Sequence, residues 1–273
     1  MASASGVAEV NGTRLRYDVA GEGHPLVLIH GGLEDRRLWD DQFDTFAQHY
    51  RVIRYDVRGY GESPLETTWT RTYSLGQDLY ELLRFLEVER TYILGLSMGA
   101  ALAVDFLLTH PGMVDALIPV APGLSGYEFV ENEFPLETQI EGALAEGDIP
   151  RAVDLTLQWW TAGPHRPLEE VNPIVRDRVR EMTLHNFERP DEENVPQPEA
   201  MEPRPMSRLA EIAAPTMVVV GDQDVRDIQR VANLLEAYVT GARKVVIPDT
   251  AHHLNMERPD LFNALVLDFL STL

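Results

Sequence analysis

Cysteine is absent from the 273 residues, which excludes disulfides, thiolate metal sites and a cysteine nucleophile. Lysine is nearly absent: Lys244 stands alone, and arginine carries almost all of the positive charge. Positive charge is itself scarce, with 23 basic against 44 acidic side chains and a formal net charge of −21. A surface this acidic repels nucleic acid and anionic lipid, so neither is expected as a partner, and its ordinary consequence is solubility. No apolar run approaches the ~20 residues that a membrane-spanning helix requires. The segment Met1 to Gly6 has neither a basic region nor an apolar stretch, so no signal peptide is expected and a cytoplasmic location is. No His-x-x-x-His or dense carboxylate–histidine cluster and no Rossmann glycine fingerprint occurs, so no metal or other cofactor is implied.

Apolar residues make up 44% of the chain, enough for one large α/β domain with a substantial core. Val7 to Val10, Asn11-Gly12 and Thr13 to Val19 predict a β-hairpin. Leu26 to Ile29 is a continuous apolar run, as in a strand buried on both faces. A helix over Leu38–His49, a strand over Arg51–Tyr55 and a helix over Tyr73–Leu86 follow. A strand at Thr91–Leu96, a helix at Met98–Leu108 and a strand at Val114–Val120 continue the alternation. This rhythm predicts a mostly parallel sheet with crossover helices. It breaks at residue 122. From there to residue 206 the pattern is helical, near Glu137–Ala145, Ile149–Trp160 and Val175–Phe187, with an exposed connector over 189–198. The rhythm returns with strands at Thr216–Val220 and Arg243–Ile247 and helices at Asp227–Tyr238 and Pro259–Leu270. The expected organisation is a core of residues 1–121 and 207–273 with a helical insertion over 122–206.

Gly95-Leu96-Ser97-Met98-Gly99 follows an apolar strand and opens a small-residue helix. That is the pattern of a nucleophile elbow, a turn too tight for side chains at Gly95 and Gly99 that lifts the Ser97 hydroxyl clear of the backbone. A serine hydroxyl needs a base, an acid to orient that base, and donors for the developing oxyanion. The candidate base is His252, with His253 as its rival; adjacent side chains point in different directions, so only one can face Ser97. The candidate acid is Asp224, with Asp222 close behind it, and both lie just past a predicted strand end, where open parallel sheets place their sites. Met98 opens the helix and offers one backbone N–H; Gly32, or else Leu33, offers the second from the loop His30-Gly31-Gly32-Leu33.

Taken in order, these pieces resemble the α/β-hydrolase family. The matching residues are His30-Gly31-Gly32 with Trp39 soon after, Asp56-Val57-Arg58-Gly59-Tyr60-Gly61-Glu62-Ser63, Gly95 to Gly99, Gly221-Asp222-Gln223-Asp224, and Ala251-His252 ahead of Glu257-Arg258-Pro259. They span about residue 25 to residue 260. The resemblance implies that Asp224 rather than Asp222 is the acid, that His252 rather than His253 is the base, and that the insertion is a helical cap over the site. It also implies a serine branch, since the dehalogenases and epoxide hydrolases of this family carry aspartate at the elbow. Val225 departs from the proline that many relatives place after the acid. Asp56 to Ser63 is expected to be a structural turn and His30 a loop-fixing hydrogen-bonder; Glu34 is a candidate to touch the substrate or to face water, and water is the expectation.

Trp159, Trp160, Tyr127, Phe129, Phe134 and Phe187 are candidates for an apolar pocket or, taken singly, for packing between cap and core. Leu33, Trp159 and Trp160 are the expected substrate contacts. The expected reaction is hydrolysis of a small-molecule carboxylic ester or lactone through an acyl-enzyme on Ser97, Asp224 and His252. The alternatives are carbon–carbon bond hydrolysis or cofactor-free perhydrolysis on the same triad, and a small-molecule receptor of the same fold.

Overall fold

Asn11 and Gly12 both take positive φ, 43° and 71°, the backbone twist of a type I′ turn. They fold β1 (Ser3–Val10) back onto β2 (Thr13–Ala20) in antiparallel register, with Val10 opposite Thr13. The computed structural model describes residues 3–65, 72–130, 136–188 and 198–273. Phe134 and residues 189–197 of the expected connector lie outside the described residues.

The strands β3 (Pro25–Ile29), β4 (Arg51–Tyr55), β5 (Thr91–Leu96), β6 (Val114–Val120), β7 (Met217–Gly221) and β8 (Arg243–Ile247) complete one eight-stranded sheet. Its order is β1-β2-β4-β3-β5-β6-β7-β8. β2 pairs antiparallel with β4; β4 through β8 are parallel. The chain leaves β3 to form β4 on one side and then β5 on the other. Crossovers therefore diverge at the carboxyl ends of β3 and β5, which opens the crevice where such sheets bind ligands. The central strands are apolar without alternation because helices cover both faces; Leu26 to Ile29 and all of β7 are buried.

Helices α1 (Asp40–Phe46), α2 (Leu75–Phe85) and α3 (Met98–Thr109) follow β3, β4 and β5. α1 is shorter than its apolar spacing predicts. Asp35 accepts the Arg37 N–H at 2.9 Å and starts a 3-10 turn over Arg36–Trp39, so the α-helical part begins only at Asp40. Between β6 and β7 lie α4 (Glu137–Ala145), α5 (Ile149–Leu157) and α6 (Pro173–Phe187), which pack in succession, and no strand of the sheet occurs there among the described residues. α5 stops at Leu157 rather than Trp160 and widens into a π turn over Gln158–Ala162, closed by Gly163 at φ 82°. α6 starts two residues early because Asn172 caps the Ile174 N–H at 2.9 Å ahead of Pro173. The chain ends with α7 (Arg226–Tyr238), the short α8 (Leu254–Glu257), which the sequence pattern did not announce, and α9 (Pro259–Ser271) packed against α1. Among the described residues no helix is long and apolar enough to cross a membrane.

Candidate active site

Ser97 is the residue between β5 and α3, with φ 54° and ψ −112°. A non-glycine residue in this region carries strain of roughly 1–3 kcal/mol, held only where the surroundings overdetermine it. Those surroundings are backbone. A Cβ on Gly95 would overlap the Gly99 carbonyl, and one on Gly99 would overlap the Ile29 carbonyl and stand 2.6 Å from that of His30. The Ser97 N–H donates to Val120 O at 3.0 Å, and its carbonyl accepts from Ala101 and Gly123 at 3.1 Å each. The hydroxyl is not spent on capping α3.

Asp224 and His252 meet at the far end of the same edge. His252 Nδ1 donates to Asp224 Oδ2 at 3.0 Å, and Asp224 Oδ1 accepts the Val225 N–H at 2.8 Å. Both side chains are buried. Burial by itself would push the His252 imidazolium pKa down; the Asp224 charge and hydrogen bond, with a further contribution from Glu34, outweigh it and leave the pKa raised. The two loops are laced together, since Gln223 N–H donates to Thr250 O at 2.9 Å and Asp249 N–H to Asp222 Oδ1 at 2.8 Å. Asp222 is thereby an exposed loop-fixing acceptor.

The loop after β3 packs against Met98, the residue after Ser97. A side chain at Gly32 would stand 3.8 Å from Met98 Cβ and 3.9 Å from the Tyr60 hydroxyl, so Gly32 and Met98, each proposed for its N–H, are adjacent. His30 Nε2 accepts the Val57 N–H at 2.9 Å, so Nδ1 carries the proton and donates to Gly31 O at 2.7 Å. This is the loop-fixing role read from sequence. Asp56 likewise is structural: it accepts from Arg36 N at 2.8 Å, Arg36 Nη1 at 2.6 Å and Glu62 N at 2.8 Å.

Glu34 does not face water. It is 1% exposed, and its Oε1 meets His253 Nε2 at 2.7 Å. Burial would raise its pKa; the charge and hydrogen bond of His253, then His252 and His30, reverse the sign and lower it. His253 thus pairs with this carboxylate and not with Asp224, and its ring lies nearly perpendicular to that of His252, centroids 5.8 Å apart.

The π turn sets Trp160 against His252: its ring centroid is 4.7 Å from that of His252, and its carbonyl accepts the His252 N–H at 3.3 Å. Trp159 is buried within the hydrophobic core cluster. Leu33 is half-buried, and its carbonyl, with that of Glu34, accepts from Asn186 Nδ2 of α6 at 3.0 and 3.1 Å. Phe129 stands 48% exposed at 6.4 Å from Trp160. Tyr127 donates its hydroxyl to Asp227 at 2.6 Å, and Phe187 packs on the core. A cavity of about 590 Å³ lies between α2, α3 and the loop after β6, lined by Met98, Ala101, Leu102 and Met201 among others. It borders Met98 and not the Asp224–His252 pair. Among the described residues no group of three or more His, Asp or Glu could hold a metal ion.

Residues 24–259 match the model of the alpha/beta hydrolase fold. The chain belongs to that family. A 2-hydroxy-6-oxononadienedioate/2-hydroxy-6-oxononatrienedioate hydrolase of Pseudomonas putida is 31% identical over 94% of this α/β hydrolase-fold chain and 91% of its own. The enol-lactonase from Burkholderia xenovorans LB400 superposes with a TM-score of 0.77 at 24% identity, over 97% of this chain and all of the other. Est816, an N-acyl homoserine lactone degrading enzyme, gives 0.73 at 27% identity over 97% and 100% of the two chains.

Two features of this α/β hydrolase-fold site escaped the sequence. Glu257 accepts the Ala251 N–H at 2.9 Å and pairs with Arg166 at 2.8 Å, while Arg166 also donates to the carbonyls of Thr161 and Ala162, both at 3.1 Å. This clamp ties the loop that carries His252 to the π turn. Glu257 had a signal in Glu257-Arg258-Pro259; Arg166, about 90 residues away in the chain, had none. The Glu34–His253 pair was invisible for the same reason, because two residues 219 apart share no local pattern.

Proposed function

We propose that this protein is a serine hydrolase that cleaves a carboxylic ester or lactone through an acyl-enzyme intermediate. One observation carries the reading: a strained serine leaves its hydroxyl free of the helix it precedes, on the sheet edge where a buried aspartate–imidazole pair is assembled. The Asp224–Nδ1 hydrogen bond places the imidazole proton on Nδ1, so Nε2 is the basic nitrogen. Nε2 takes the Ser97 proton as Oγ attacks the carbonyl carbon, and the N–H groups of Gly32 and Met98 receive the oxyanion. His252 then gives that proton to the leaving alcohol oxygen, and a water activated by His252 releases the acid. The helices α4, α5 and α6, within residues 122–206, serve as the cap; Trp160, against the base, and Leu33, in the oxyanion loop, contact the substrate. The acidic exterior favours uncharged substrates over multiply anionic ones.

The test is turnover of a short p-nitrophenyl ester with labelling by a serine-directed phosphonate. Ser97→Ala loses both while keeping its circular dichroism spectrum; retained turnover in that variant removes the mechanism. A second reading has one specific support, the Pseudomonas putida relative, whose name is that of a hydrolase of a 2-hydroxy-6-oxo dienedioate. A panel of esters, lactones and vinylogous diketones separates the two, since carbon–carbon cleavage releases no alcohol.

A further inference from the structure

Glu34 and His253 form a second acid–imidazole pair beside the first, and the chemistry proposed above leaves it without a task. The contact is 2.7 Å, and neither side chain is more than 1% exposed. Glu34 Oε2 and His253 Nδ1 have no hydrogen-bond partner among the described residues. Oε2 lies against the Cα of Gly31, where a Cβ would overlap it. An ionised carboxylate costs several kcal/mol to bury and is a poor choice for a plain tether. The same interface shows what a plain tether looks like. Gln42 of α1 donates to Asn255 O and Asn263 Oδ1 at 3.1 and 3.0 Å and accepts from Asn255 Nδ2 at 3.1 Å, an uncharged amide cluster joining the same parts of the chain. What distinguishes the Glu34–His253 position is that it stands next to His252.

We propose that Glu34 is a positioning residue that, through His253, locks the oxyanion loop to the base loop and supports the positive charge His252 acquires when it takes the Ser97 proton. The inference rests on the serine-hydrolase reading. The charges around His252 leave room for it. Asp224 approaches from the loop after β7 and Glu34 from the loop after β3. Glu257 of α8 pairs with Arg166, Trp160 of the π turn is uncharged, both ring nitrogens of His30 are engaged by backbone groups, and His253 is the residue through which Glu34 reaches the His252 loop. Glu34 is therefore the second carboxylate available to the imidazolium, and the one that the oxyanion loop itself carries. No proton is transferred to it.

The experiment compares Glu34→Gln and the all-amide variant Glu34→Gln/His253→Gln with the unaltered protein. It reads the His252 titration midpoint by ¹⁵N-histidine NMR and the pH profile of kcat/KM on p-nitrophenyl acetate. Removing the charge moves the midpoint and the acidic limb of the profile to lower pH, and kcat/KM at neutral pH falls roughly tenfold, the order expected for removing one charged partner. The double variant keeps a hydrogen bond, as the Gln42 cluster does, and serves where the single one fails to fold. An unmoved His252 midpoint in a folded charge-free variant overturns the proposal, because a purely structural tie would leave it in place. The NMR reading needs no turnover, so it stands or falls separately from the effect of Ser97→Ala.

Discussion

Replacing Asp224 by asparagine removes one charge and almost no volume, and the two hydrogen bonds of the carboxylate determine the outcome. Oδ2 faces His252 Nδ1 at 3.0 Å while Oδ1 faces the Val225 N–H at 2.8 Å, both in a buried setting. An asparagine has one oxygen for these two places. If the oxygen stays on Val225, the amide N–H₂ meets Nδ1, which must then be unprotonated. The ring proton moves to Nε2, and the base can no longer accept from Ser97. If the oxygen stays on His252, the amide N–H₂ faces the Val225 N–H and a buried donor goes unpaired, at about 1–3 kcal/mol. The first arrangement avoids that cost, so the wrong tautomer dominates. A loss of kcat of roughly a thousand- to ten-thousandfold with KM little changed is the expected scale for such a tautomer error. The pH behaviour adds a second check. Burial lowers the His252 pKa, and the Asp224 charge is the main influence opposing it; without that charge the imidazole titrates at lower pH. The assay is steady-state hydrolysis of a p-nitrophenyl ester from pH 5 to 9, with thermal melting to confirm the fold. A kcat within tenfold of the unaltered protein, together with an unmoved acidic limb, would refute the assigned role of Asp224.

Gly99→Ala should destabilise by at least 1–3 kcal/mol in urea unfolding, although glycine-to-alanine inside a helix ordinarily stabilises by about 1 kcal/mol, because the added Cβ would meet two backbone carbonyls that cannot retreat. Ser97→Gly should abolish turnover yet raise stability by about 1 kcal/mol, since glycine occupies φ 54° without the serine's strain; an unchanged or lower unfolding free energy would contradict the strain assigned to the elbow. Burial raises the Asp105 carboxyl from the ordinary aspartate range to about 6. The fold thus favours its protonated form, and that contribution is full below about pH 4 and lost by about pH 6. Asp105→Asn should therefore flatten the dependence of melting temperature on pH between 4 and 6, and an unchanged slope would show that Asp105 does not titrate there. His252 acts in the same direction at higher pH. Its raised folded pKa contributes stability present below its unfolded value near 6.5 and lost as pH rises through the folded value; the excess stability of the unaltered protein over His252→Gln should shrink as pH increases across that interval.

Local chemistry in the chain was enough for the sheet and for its turning points. Short apolar runs rich in β-branched residues and bounded by turn residues are strands covered on both faces, and Asn11-Gly12 permits a hairpin twist that few dipeptides allow. Gly95 and Gly99 bracket Ser97 because a carbonyl occupies the space where each side chain would be. The hairpin turn and the Gly95–Gly99 contact are effects of a residue on nearby backbone, so they can be read from adjacency; the contact of Gly99 with the Ile29 and His30 carbonyls is made only in the folded sheet. Helix ends were less legible where a side-chain cap decided them, as at Asp35 and Asn172. The folded molecule alone decided the partners of buried charge. His252 and His253 are indistinguishable as letters; they diverge because one ring meets Asp224 and the other meets Glu34, each brought by a different crossover. The expectation that Glu34 faces water failed for that reason. An isolated glutamate belongs in solvent, and only a histidine more than 200 positions away makes its burial tolerable. Trp160 illustrates the same limit, since the π turn over Gln158–Ala162 that accompanies its approach to the His252 ring was not visible in the helical spacing. Pairings across the sheet depend on where the chain returns, and that is a property of the assembled fold.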